Sequence, residues 1–135
     1  MHSEFRSSNI PKSVFERARS IALDQDVMPI SPASRTKDDK VSFCAAGCVS
    51  YAALELLISK EEAEKLSSQL VESKSSLLLI DVFRRFGWDV TLCEKLIRSN
   101  DITPREVRQQ WFIHLCNDLE LNCNQITADL IDSRN

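Results

Sequence analysis

The stretch from residue 41 to residue 58 constrains the fold of this chain more than any other. It reads V-S-F-C-A-A-G-C-V-S-Y-A-A-L-E-L-L-I and is almost continuously apolar or small. Such a run is typical of a helix that is buried over most of its circumference. We therefore expect a central helix over residues 41–58, with the rest of the chain packed around it.

The composition favours helices for the rest of the chain as well. Only two glycines and four prolines occur among 135 residues, whereas an all-β domain of this size needs turn residues at short intervals. Hydrophobic residues make up 43% and charged residues 27%, which is ordinary for a globular domain. We predict an all-α fold, a compact bundle of six or seven helices forming a single domain over residues 1–135.

Local signals place several helix ends. Ser59 with Glu62 matches a capping box, and Asp89 can cap the helix that follows it. Gly87 is a typical C-terminal glycine for a helix that begins near residue 77. The strongest start signal is T-P-R-E at 103–106, with a Thr cap, Pro at the first helical position and Glu at the third.

Other segments are predicted to be irregular or are ambiguous. We expect a loose start over 1–9, a long loop over about 26–40 with two prolines and mixed charge, and a polar tail over 133–135. The pattern of the helix that follows Asp89 breaks at Asn100 and Asp101, and a short last helix is predicted from Asn124. A buried strand is the alternative interpretation of residues 77–82.

Charge and hydropathy bound the function classes. A net charge of -3 argues against a protein that binds nucleic acid mainly by neutralising phosphates. No stretch reaches eighteen apolar residues and the N-terminus lacks the apolar core of a signal peptide, so we expect a cytoplasmic protein with no membrane partner. Five cysteines, an odd number, then favour reduced thiols over a disulfide framework.

Cys44 and Cys48 lie one helical turn apart, a spacing that metals can use. Zinc needs four ligands, and a second closely spaced pair is missing, so we predict no metal and no cofactor. Cys44 near a helix start could also act as a nucleophile with His114 as a distant base, which would make the protein a thiol-dependent hydrolase or transferase. Because no Cys-His-Asp signature is visible, we favour small core residues over catalysis.

Residues 89–117 can be read as a helix-turn-helix, with Arg105 and Arg108 early in the second helix, where a recognition helix meets DNA. Acidic residues are interspersed, and helices joined by short turns are common in any bundle. A DNA-binding regulator is therefore the alternative, and a solvated charged face is the preferred interpretation.

By elimination, we expect a small module that binds another protein, as an inhibitor or adaptor in a bacterial or phage system, with a homo-oligomer as the alternative arrangement. The candidate binding residues are Trp88, Arg105, Arg108, Trp111 and Phe112. For the three aromatic residues a place in the core is the preferred interpretation, since apolar residues at helical spacing usually pack inside, and exposure of any of them would favour an interface.

Two stretches resemble a small bacterial helical domain family of uncharacterised function, whose motifs are of the types W-C-x-x-G-A and N-D-x-x-x-T-x-x-x-V. The counterparts here are F-C-A-A-G-C at 43–48 and Asn100-Asp101 with Thr103 and Val107. Phe43 stands where a Trp is usual, and Cys48 replaces a small residue. The resemblance spans about residues 35–120 and implies a helical fold and a bacterial or phage origin, with no activity or cofactor. Separately, Gly47 should let another helix approach closely.

Overall fold

The computed structural model of this protein describes residues 4–5, 10–121 and 126–127. Within these residues the chain forms six helices and two antiparallel pairs of very short strands. The helices are α1 (Lys12–Asp24), α2 (Ala45–Leu57), α3 (Lys60–Ser73), α4 (Leu77–Arg85), α5 (Val90–Ile102) and α6 (Arg105–Leu121). The prediction of an all-α bundle is confirmed.

Helix α2 is the central element, and every residue from Ala45 to Leu54 is buried. It packs against α1, α3, α4 and α5. Small side chains dominate this stretch, so neighbouring helices can approach its axis from several sides. The sequence therefore identified the central helix correctly, although its start is displaced.

The predicted helix over 41–58 is wrong in its first residues. Strand β3 (Val41–Phe43) precedes α2 and pairs antiparallel with β2 (Ala33–Arg35). Val and Phe favour strands, and pairing with β2 satisfies backbone groups that a helix start would leave without partners. Gly47 accordingly makes room for this hairpin and not for a helix, because a Cβ there would lie 3.0 Å from the carbonyl oxygen of Pro32.

Part of the predicted loop over 26–40 is thus a β-hairpin. At its turn, the Thr36 N–H donates to the Lys40 carbonyl at 2.8 Å, and Asp39 has a φ of 61°. Asp tolerates this left-handed conformation better than most residues do. The segment that leads from α1 to α2 is therefore an ordered structure that lies against the bundle.

Three of the predicted helix ends are confirmed. The Ser59 hydroxyl accepts from the Glu62 N–H at 3.2 Å, and the Asp89 carboxylate accepts from the Thr91 N–H at 2.8 Å. After α4, Gly87 has a φ of 74° and its N–H donates to the Arg84 carbonyl at 3.0 Å. Residues 77–82 are helical, so the alternative strand there is wrong.

The predicted break at Asn100 and Asp101 is also wrong, since α5 continues to Ile102. At the C-terminal end of the chain, Ile126–Thr127 form strand β4, which pairs with strand β1 (Glu4–Phe5), in place of a helix from Asn124. The remainder of that predicted helix, the rest of segment 1–9 and the tail 133–135 lie outside the described residues.

The fully buried side chain of Asn100 joins three parts of the fold. Its Oδ1 accepts from the Ala45 N–H at 2.9 Å, and its Nδ2 donates to the Pro29 carbonyl at 3.0 Å. The first N–H groups of a helix have no partner within the helix itself. An amide on α5 therefore supplies a hydrogen bond at the start of α2 and also fixes the chain between α1 and the hairpin.

We expect Asn100→Ala to lower the free energy of unfolding by about 2–4 kcal/mol, because a buried N–H and a buried carbonyl lose their partner. Urea denaturation measures the change. Arg98→Ala, at an exposed position on the same helix, is the control and should stay within about 0.5 kcal/mol of the parent protein. Equal losses in the two variants would contradict this role for Asn100.

Candidate functional site

Cys44 occupies the N-cap position of α2 and is only 2% exposed. Burial raises the pKa of its thiol from 9.0 to about 11, although backbone N–H groups of Gly47 and Ala46 act in the opposite direction. The thiolate that a nucleophile needs is therefore scarce near neutral pH. His114, the suggested base, lies on the exposed side of α6.

The other described cysteines are buried as well. Cys48 accepts a hydrogen bond from Gln25 Nε2 at 3.3 Å, and burial raises the pKa of Cys93 to about 12. Cys44, Cys48, Cys93 and Cys116 are all free thiols. In the part of the chain that the structure describes, no three His, Cys, Asp or Glu side chains are grouped so as to hold a metal ion. These thiols are constituents of the hydrophobic core.

The buried thiols make the stability pH-dependent. A thiol whose pKa is raised by folding stabilises the native state fully below its unfolded pKa and loses that contribution as the pH rises. We expect the free energy of unfolding, measured with urea under reducing conditions, to fall from pH 8 to pH 10. Cys44→Ser should reduce this fall by about 1.4 kcal/mol, because the thiol loses stabilisation mainly over the one pH unit between its unfolded pKa near 9 and pH 10. An identical fall in both proteins would contradict the raised pKa of Cys44.

The three candidate aromatic anchors lie in the core. Trp88 is buried and stacks on Phe86 with ring centroids 4.7 Å apart. Trp111 and Phe112 are buried on α6, which packs mainly on α1. In this structure these side chains stabilise the bundle, so their burial gives no support to a role as exposed anchors.

The two candidate arginines have different environments. Arg105 is exposed, whereas Arg108 is 6% exposed and donates through Nη1 to the Met28 carbonyl at 2.8 Å and through Nε to the Thr103 carbonyl at 3.1 Å. A guanidinium carries several N–H donors in a rigid planar arrangement, so it can donate to two different carbonyls at once. Arg108 therefore fixes the segment after α1, and of the two arginines only Arg105 is open to a partner.

We expect Arg108→Met to lower the free energy of unfolding by about 2–4 kcal/mol, since two carbonyls near the interior lose a charged donor. Arg105→Met, one turn away on the same helix, is the matched control and should have almost no effect. Thermal and urea denaturation of the two variants separate the roles. A larger loss for the Arg105 variant would overturn this assignment.

Sequence reasoning missed the polar side chains that hold the segment between α1 and α2. Gln109 Nε2 donates to the carbonyls of Ala22 and Gln25, each at 2.6 Å. Gln25 is itself buried, and its Oε1 accepts from the Ser42 hydroxyl at 2.8 Å. Such contacts join residues far apart in sequence and leave no local pattern. Asn100 did carry a signal, since Asn is unfavourable within a helix unless its side chain has a partner.

These buried hydrogen bonds bring three exposed apolar residues onto adjacent segments. Ile30 follows Pro29, which is bound by Asn100, while Ile102 ends α5 and Val107 precedes Arg108. The three side chains are 63%, 65% and 50% exposed, respectively. We call Ile30, Ile102 and Val107 the corner patch. Each of these side chains lies within two residues of a residue that takes part in these bonds, and exposed large apolar side chains are a mark of interaction sites.

A second feature is a surface cleft of about 440 Å³ between α1, the β2–β3 hairpin, α2 and α3, here called the polar cleft. On its wall, the Tyr51 hydroxyl donates to Glu64 Oε1 at 2.5 Å, and the Tyr51 ring lies 5.1 Å from that of Phe43. Burial and the neighbouring Glu64 carboxylate raise the pKa of Tyr51, so its hydroxyl stays protonated. The cleft thus combines an aromatic wall with carboxylates.

Comparison with known proteins adds no relative. No protein-family model, curated protein or solved structure matches this chain. The resemblance to the bacterial helical family therefore stays a prediction, and Thr103 follows Asp101 more closely here than in the family motif. The fold does bring the two motif stretches together, because Asn100 binds the Ala45 N–H. Within the described residues, no helix has both the length and the apolar character to cross a bilayer.

Proposed function

We propose that this chain is a small protein-interaction module that acts as an inhibitor or adaptor of another protein. The observation that carries the proposal is the corner patch, three exposed aliphatic side chains on segments that are tied together by buried hydrogen bonds. Burial of such side chains against a partner contributes about 25 cal/mol for each Å² removed from water. The patch, and not the buried aromatic residues, is the proposed contact surface.

The rigidity of the support favours binding. Binding that first has to order a loop is weakened by the entropy lost on ordering. Here the backbone just before Ile30 is fixed by two hydrogen bonds. Arg108 donates to the Met28 carbonyl and Asn100 donates to the Pro29 carbonyl. The patch is therefore preorganised in the free protein.

The rim of the patch indicates the chemistry of the partner. Asp101, Arg105 and Glu106, which neighbour Ile102 and Val107 in sequence, are exposed and carry both signs of charge. A mixed rim around an apolar centre is typical of protein interfaces, whereas DNA-binding surfaces are strongly positive. The expected partner is a protein surface with an apolar centre and polar groups at its edge.

The two alternative functions draw less support from the geometry. A thiol enzyme needs an accessible thiolate, and Cys44 is buried with a raised pKa. A DNA-binding regulator needs several exposed cations on its recognition helix, and Arg108 points to backbone carbonyls of its own chain. Protein binding remains the proposal that the exposed surface favours.

A photo-crosslinking amino acid at position 102 tests the proposal in the native host. We expect one discrete adduct with another protein, reduced severalfold by the additional substitution Val107→Asp, because a charge in the patch opposes apolar burial. The crosslinker at Glu61, an exposed position on α3, is the control. An adduct of twice the chain mass would assign the patch to self-association. The same adducts from both positions, or none from position 102, would refute the proposed surface.

A further inference from the structure

The polar cleft has the size of a ligand site and a wall of mixed character. Its volume of about 440 Å³ lies within the range of small-molecule pockets, roughly 300–1,000 Å³. Apolar and aromatic side chains form one part of the lining, namely Ile21, Val41, Phe43 and Tyr51. The rest of the lining is polar or charged, so the cleft combines one apolar and aromatic wall with a largely polar remainder.

Ser67 provides a polar group that the protein itself does not use. The residue lines the cleft and is 4% exposed, and its hydroxyl forms no hydrogen bond within the described part of the chain. The hydroxyl oxygen itself is not sealed from solvent, since it is not among the fully enclosed polar atoms that lack a partner. A hydroxyl on the wall of a cleft with no partner in the described chain is open to water or to a hydrogen-bonding group of a ligand.

The charges of the cleft are unbalanced once internal ion pairs are accounted for. Arg17 Nε lies 2.6 Å from Glu55 Oε1, and Arg35 lies 3.5 Å from Asp39. These two cations are thus already paired. Among the described residues that line the cleft, the charged groups outside these two ion pairs are the ammonium of Lys40 and the carboxylates of Asp24, Asp26, Asp38 and Glu64. Four carboxylates against one ammonium give the cleft an excess of negative charge.

We propose that the polar cleft binds a small organic cation, with an amidinium, guanidinium or primary ammonium group on an apolar body. The cationic group would lie near Glu64 and donate to the Ser67 hydroxyl, and the apolar body would pack against Phe43 and Tyr51. Aromatic rings attract cations electrostatically as well as through apolar contact. No three carboxylates or other metal-binding side chains of the described residues are grouped around a common point, which favours an organic cation over a metal ion.

This site is independent of the proposed protein-binding function. The corner patch lies at the junction of α5 and α6, whereas the cleft lies between α1, the hairpin, α2 and α3. Loss of partner binding at the patch would leave cation binding unchanged. The two proposals can therefore fail separately.

Benzamidine and its neutral isostere benzamide test the proposal. Titration into the 15N-labelled protein should shift the backbone amide signals of Phe43, Tyr51 and Ser67 with benzamidine, and at least about tenfold less with benzamide, since only the cation gains from the carboxylates. Raising the salt concentration from 0.05 to 0.5 M should weaken the binding of benzamidine. Equal shifts with both compounds, or shifts that avoid the cleft, would overturn the proposal.

Glu64→Gln is the decisive variant because Gln keeps the acceptor for the Tyr51 hydroxyl and removes the charge. We expect its dissociation constant for benzamidine to rise roughly fivefold, the effect of about 1 kcal/mol at an exposed site. Glu61→Gln, on the same helix but outside the cleft, should leave the constant unchanged. Equal effects of the two variants would show that benzamidine responds only to the overall charge of the protein, and would overturn the proposal of a specific site.

Two further probes identify the source of the cation. Agmatine carries the guanidinium on a free small molecule, and acetyl-Ala-Arg-Ala-amide carries the same group on a peptide. Tighter binding of agmatine would assign the cleft to a free metabolite, and tighter binding of the peptide would assign it to an arginine side chain of a protein. Shifts with neither compound would contradict recognition of a guanidinium.

Discussion

The side chain of Asn100 provides the contact on which the other features depend. One amide satisfies a backbone N–H at the start of the central helix and a carbonyl in the segment that leads to it. Arg108 and Gln109 bind that same segment nearby. Ile30 of the corner patch and the hairpin wall of the polar cleft both belong to this segment, so one set of buried hydrogen bonds positions a part of each proposed surface.

Most of the helices could be predicted because their signals are local. Ser59, Asp89 and Gly87 act within four residues of their own position, and the apolar run at 45–54 identified the buried helix. The strand at Val41–Phe43 could not be separated from that run, since a short apolar stretch suits a strand as well as a buried helix. Its partner strand lies across a turn that contains no glycine or proline to indicate a hairpin.

The candidate sites were less predictable because residue type does not reveal exposure. Trp88, Trp111 and Phe112 suit an interface or a core equally, and only the packing of α4, α5 and α6 decides between them. Arg108 looked like a surface charge, yet its guanidinium binds two backbone carbonyls. The surfaces that the structure offers in their place, around Ile102 and around Tyr51, are assembled from segments distant in sequence.

The order in which the chain is synthesised gives these long-range contacts a further consequence. The bonds to Pro29, Met28 and Gln25 span 71, 80 and 84 residues, respectively. Until α5 and α6 have been synthesised, the carbonyls of this segment lack the side-chain donors that bind them in the folded protein. The Ala45 N–H at the start of α2 likewise lacks its acceptor, the Asn100 side chain. In a nascent chain that contains only the first three helices, α1 and α3 can already cover much of α2, while its face toward α4 and α5 is still open. That face is covered only after α5 emerges, and apolar surface that stays exposed during synthesis favours aggregation.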